Sequence, residues 1–166
     1  MVLWLNEISK SDADQVGEKA ALLGEIEKFG FPTPRAFVIP FEEFNNAKAQ
    51  IEDEINTALS TANPDDFNSI IYASEAIKKA FLGIEIDEAL KKEIADAYNK
   101  LHINKSDYGN VRSDAFNFIK AGRDLPFVAV RVSNNSSKPK HHSALLNIKL
   151  TGEVLTTVKK AWASIY

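Results

Sequence analysis

The chain has 166 residues, 45% of them hydrophobic and 26% charged, with a net charge of −3 and no cysteine. That length and composition fit one globular domain with a real core. They exclude a disulfide framework and a thiolate zinc site. Residues 1–6 are apolar but too short for a secretion signal, with no basic segment ahead of them, and no apolar run approaches the roughly 20 residues of a membrane span. The expectation is a soluble cytoplasmic protein folded as a single domain over residues 1–166. The charge is unevenly spread: residues 1–120 hold 13 Lys and Arg against 21 Asp and Glu, whereas residues 121–166 hold seven against two. A basic end of this kind suits an anionic ligand or an acidic partner surface. It equally suits attraction between the two parts of one fold.

In chain order, residues 2–5 read as a short buried strand. Residues 6–15 are polar and turn-like, with Ser11 and Asp12 as candidate caps. A helix follows from Val16 to Phe29, with Leu22, Leu23, Ile26 and Phe29 on one face and Gly30 as its stop. Lys19 stands at the start of this helix, where a cation opposes the helix dipole. The position makes sense if Lys19 and the helix N-terminus together hold an anion; the commoner role of a lone lysine is a solvated one. Phe31-Pro32-Thr33-Pro34 is a rigid extended connector. Residues 36–39 form a second short strand, and Pro40 opens the next helix.

Residues 41–60 carry Phe41, Phe44, Ala47, Ile51, Ile55 and Leu59 at helical spacing. Because Ile51 and Ile55 fix the buried face, the carboxylates Glu52, Asp53 and Glu54 read as a solvated face rather than a metal site. After a break at residues 62–66, helical periodicity resumes through Ile70, Ile71, Ser74, Ile77 and Phe81 and ends at Gly83. Ile86-Asp87 caps a further helix with the stripe Leu90, Ile94, Ala97, Tyr98 and Leu101. Residues 41–101 are thus three helices in series, a helical layer without special chemistry. His102 reads as structural or exposed, residues 104–110 as a loop, and residues 115–119 as a short helix closed by Gly122.

Phe127-Val128-Ala129-Val130-Arg131-Val132-Ser133 reads as a buried strand that delivers one arginine and then a polar run, Ser133-Asn134-Asn135-Ser136-Ser137. A charge at the exit of a buried strand is costly without a partner or a job. Amides and hydroxyls in the following loop suit an anion such as phosphate; the plainer alternative is a salt bridge at a strand rim. Residues 134–142, including Lys138, Lys140, His141 and His142, read as a mobile basic loop. Adjacent histidines are a weak metal signal. Residues 144–150 form a last strand, Thr151-Gly152 a turn, and residues 153–165 an amphipathic helix on Val154, Leu155, Val158, Ala161, Trp162 and Ile165. The order of elements predicts an α+β fold: a small, mostly antiparallel sheet with a helical layer beside it.

Four segments, in this order, resemble the N-terminal nucleotide-binding domain of phosphoenolpyruvate synthase and pyruvate phosphate dikinase. Trp4 and then Val16-Gly17-Glu18-Lys19-Ala20-Ala21-Leu22-Leu23-Gly24-Glu25 look like the family's glycine-glycine-lysine helix start. Gly30-Phe31-Pro32-Thr33-Pro34-Arg35-Ala36-Phe37-Val38-Ile39 resembles its proline-rich lead into a strand. Residues 127–133 resemble its valine-arginine-serine-serine strand. Leu146-Asn147-Ile148 to Gly152, followed by Ala161-Trp162-Ala163-Ser164-Ile165-Tyr166, resemble its closing strand and helix. The resemblance covers nearly the whole chain and implies the first part of an ATP-grasp-like domain, with ATP and magnesium as cofactors. It implies phosphate contacts from Lys19 and Arg131.

Some positions depart from the family pattern. The second glycine of the helix start is Glu18, and residues 134–144 are shorter than the family's phosphate-covering loop and differ from it. By the same resemblance, the magnesium-binding side chains, the adenine pocket, the phosphohistidine domain and the pyruvate-binding barrel lie outside these 166 residues. His141 and His142 do not stand in for the phosphohistidine. The expectation is therefore the ATP-binding portion of a phosphoenolpyruvate synthase-like kinase, without catalysis of its own. Its partner would be the remainder of the enzyme as a second chain. The rival is a degenerate binding or interaction module that has lost the nucleotide. Nucleic acid is disfavoured, because no aromatic residues are interleaved with the C-terminal cations.

Overall fold

The computed structural model describes residues 1–101, 125–134 and 144–166. The expectations for His102, residues 104–110, the helix at 115–119 with Gly122, and Asn135 to His142 lie outside the described residues. Strands β1 (Leu3–Trp4) and β2 (Phe37–Val38) pair antiparallel, with Leu3 opposite Val38 and Trp4 opposite Phe37. Side chains alternate across a ribbon, and this one has apolar neighbours on both faces. Leu3 and Val38 pack on a small cluster formed by Ile8, Val16, Ala20 and Ala21. Val2, Phe37 and Ile39 pack on the main core.

Between β1 and β2 the chain makes two 3-10 turns, Leu5–Glu7 and Lys10–Asp12, then helices α1 (Ala13–Val16) and α2 (Glu18–Lys28). The Asp12 carboxylate closes the second turn by accepting from the Ser9 amide at 2.7 Å. α2 corrects the sequence reading. Its buried face is Ala20, Ala21 and Gly24, while Leu22, Leu23 and Phe29 are exposed. The cause is close approach: a Cβ on Gly24 would lie 2.5 Å from the Ile8 carbonyl oxygen and 2.9 Å from that of Leu5. Only small side chains fit between this helix and the turn below it.

The helical layer has four members rather than three. Residues 41–60 break at Gln50–Ile51 into α3 (Phe41–Ala49) and α4 (Glu52–Thr61). Ile51 leaves helical geometry (φ −128°, ψ 23°) while its side chain stays buried. The apolar spacing continues across the break, so periodicity alone could not reveal it. Glu52, Asp53 and Glu54 occupy the exposed first turn of α4, where negative charge suits the dipole. α5 (Phe67–Gly83) and α6 (Glu88–Lys100) follow, and the Asp87 side chain caps α6 by accepting from the amides of Ala89 and Leu90. On α5, Ile77 and Phe81 are buried, but Ile70 and Ile71 are partly exposed, as is Leu59 on α4.

A second ribbon joins β3 (Val128–Val130) to β4 (Leu145–Ile148) antiparallel, with Val128 opposite Ile148 and Val130 opposite Leu145. β4 spends one residue more than β3 over that interval, a bulge accommodated by Asn147 at φ +59°. The described strands thus form two ribbons rather than one sheet, still within an α+β fold. Thr151 and Gly152 are not a turn; they open α7 (Thr151–Ala163). α7 lays Val154, Val158 and Trp162 into the main core beside Ile77, Phe81, Ile94 and Tyr98. Phe44 stacks on Phe81 at 5.9 Å between ring centroids and tilts against Trp162 at 6.3 Å. Lys159 donates to the carbonyls of Leu82 and Ile84, at 2.7 and 3.1 Å, which ties α7 to the end of α5. One cation of the basic end is therefore used inside the fold.

Candidate functional site

The site forms where the start of α2 meets the end of β3. Gly17 precedes α2 at φ +84° and ψ 153°, a region that a Cβ strongly disfavours. It is buried, and a Cβ there would come within 2.8 Å of the Asn134 amide nitrogen and closer still to Ser133. The missing side chain therefore lets the strand exit run directly over the helix start. Two hydrogen bonds follow. The Ala20 amide donates to Ser133 Oγ at 3.1 Å, and the Glu18 amide donates more weakly to the Asn134 carbonyl at 3.4 Å. Both donors belong to the first turn, whose amides a helix cannot satisfy itself. Among the described residues, the Lys19 amide between them has no acceptor.

Lys19 is the second residue of α2, and its side chain is exposed. Arg131 directly follows β3, two residues before Ser133, and is exposed as well. The structure thus joins the two segments that carry these cations through Ser133 and Asn134. Among the described residues, neither cation has an ion-pair partner. Arg131 does not leave a buried strand: Phe127 and Ala129 are exposed, Val128 and Val130 only half-buried, so its charge stays in water and carries no large desolvation cost. Glu18 is exposed at the first position of α2, where its carboxylate favours the helix dipole.

β3 and β4 are held from behind by Tyr98 of α6. Its side chain is fully buried, its hydroxyl donates to the Pro126 carbonyl at 2.9 Å, and it accepts from the Leu150 amide at 3.0 Å. One phenol thereby fixes the entry to β3 and the exit from β4, using both of its hydrogen-bonding capacities. Sequence reasoning placed Tyr98 correctly on a buried stripe but missed this polar role. Gly17 and Ser133 were also missed as a pair. The signals were present, a glycine just ahead of a helix and a serine just after an arginine, but only the tertiary contact links them.

The family model for the pyruvate phosphate dikinase AMP/ATP-binding domain matches residues 13–166. The chain belongs to this family. Among curated relatives, the phosphoenolpyruvate synthase of Aeropyrum pernix is 32% identical over 178 residues, covering 100% of this chain and 19% of the relative. The probable phosphoenolpyruvate synthase of Methanocaldococcus jannaschii is 30% identical, covering 99% of this chain and 13% of that protein. The phosphoenolpyruvate synthase of Escherichia coli is 26% identical, covering 100% and 20%. The chain thus spans a fifth or less of the length of these three relatives. No helix among its described residues is long and apolar enough to cross a membrane.

Proposed function

We propose that this chain supplies ATP phosphate contacts, through Lys19 and Arg131, to a phosphoenolpyruvate synthase-like phosphotransferase built on an ATP-grasp-like domain. The observation that supports the reading is the Gly17–Ser133 junction, which joins the backbone segments carrying these two exposed cations in a chain of the AMP/ATP-binding family. The residues fit a phosphate: a helix N-terminus and two cations are complementary to spread negative charge. ATP would supply the phosphoryl group. This chain's part is to bind and orient it, since phosphoryl transfer depends mainly on positioning and electrostatics. Among the described residues no cluster of three His, Asp or Glu side chains could hold a metal, so the contacts to magnesium are assigned to none of them. The partner in this reading is the remainder of such an enzyme.

Titration of the chain with ATP and magnesium tests the proposal. Binding that Arg131→Ala or Lys19→Ala weakens about tenfold or more supports it, each charge-assisted contact being worth roughly 1.5–3 kcal/mol. No binding at millimolar ATP overturns it. The isolated chain should not form phosphoenolpyruvate from ATP and pyruvate; detecting that product would sink the claim that it only binds.

A second reading, a module that keeps the fold without the nucleotide, is favoured by one specific observation. Ser133 already occupies the Ala20 amide, and Glu18 adds a carboxylate to the same turn. The same titration separates the two.

A further inference from the structure

We infer that Ser133 is a positioning residue for the phosphate contacts, clasping the Lys19 turn to the Arg131 segment so that both cations engage one polyanion. The inference deepens the proposed function and rests on it. Lys19 and Arg131 are 112 positions apart in sequence, and each has a long side chain that is exposed. Two flexible cations bind a triphosphate well only if their backbones are already at a fixed separation, because ordering them costs entropy at binding. Ser133 provides that separation. It lies two residues beyond Arg131, and its Oγ receives the amide of Ala20, the neighbour of Lys19, at 3.1 Å.

Gly17 admits the clasp. At φ +84° it offers no Cβ where one would overlap the Ser133 side chain and backbone. The Glu18–Asn134 bond closes the other side of the same turn. Between these two bonds lies the Lys19 amide, which has no acceptor among the described residues, so the clasp caps the helix start on either side of the cation's own backbone. Ser133 accepts from Ala20 through oxygen and retains its own proton, so an anion at this edge need not displace it.

The test compares the 166-residue chain with Ser133→Ala and Ser133→Thr, each titrated with ATP and magnesium by calorimetry. Exchange protection of the Ala20 amide is read in parallel by NMR. Ser133→Ala should remove the Ala20 protection and weaken ATP binding roughly fivefold or more, the usual size of coupling between neighbours in one network. Ser133→Thr keeps the oxygen and should restore both, a rescue that a loss of general stability would not show. If Ser133→Ala loses the Ala20 protection yet binds ATP as the parent chain does, the clasp does not position the cations and the inference is overturned. If the parent chain binds no ATP while Ala20 protection still depends on Ser133, it is the proposed function that fails, and the inference falls with it.

Discussion

Gly17 and Leu150 both hold positive-φ backbone conformations that glycine tolerates and larger residues resist, and only the first is glycine. Gly17 has φ +84° and ψ 153°; Leu150, just ahead of α7, has φ +74° and ψ 139°. Their substitutions should act with opposite sign. Gly17→Ala adds strain and a clash with Ser133, and should cost about 2 kcal/mol or more in chemical denaturation. Leu150→Gly relieves strain at a side chain that is 55% exposed and buries little, and should raise stability by roughly 1 kcal/mol. The Leu150 amide is held by Tyr98, which accounts for the conformation persisting despite its cost. A Leu150→Gly variant less stable than the parent would show that the backbone there is not strained.

At the scale of elements, α2 inverts the usual arrangement of a surface helix. It buries alanine and glycine and exposes Leu22, Leu23 and Phe29. Replacing Leu22 or Phe29 by Lys should therefore change the denaturation midpoint little, within about 0.5 kcal/mol. Gly24→Ala should unfold the chain markedly more easily, because its Cβ meets two carbonyl oxygens. This contrast marks the limit of sequence reading. The α6 stripe from Leu90 to Tyr98, the Asp87 cap and the Trp162 helix were legible, since apolar spacing and capping chemistry act locally. The face of α2, the break at Ile51 and the exposure of Arg131 were not, because each is decided by what packs alongside. Lys19 and Arg131 could be named from the resemblance and from their places at a helix start and a strand exit. The serine that links them stands in a visible polar run after Arg131, but its contact with the start of α2 is decided by tertiary packing.

Across the whole molecule, the N-terminus is tied in by charge. The Met1 ammonium donates to Glu43 on α3 at 2.6 Å and lies 3.6 Å from Glu93 on α6, which also accepts from the Val2 amide. The hydrogen bond to Glu43, the largest cause, raises the ammonium pKa above its ordinary value despite some desolvation. A raised value in the folded state gives stability that is complete below the unfolded value, near 8, and lost as pH rises through the folded one. Denaturation midpoints should fall from pH 7 to pH 10, and by less in Glu43→Gln; an equal fall in both would exclude this pair as the source. The β1–β2 ribbon lies between the two apolar clusters, and this has an optical consequence. Trp4 sits on the ribbon, edge-on to Phe37 and under the Arg35 guanidinium, while Trp162 is buried in the main core. These are the only two tryptophans in the chain, so Trp162→Phe and Trp4→Phe yield two single-tryptophan proteins, the first reporting the ribbon and the second the core. A ribbon shared by both clusters cannot peel away without opening each of them, so the two emission signals should change at the same denaturant concentration.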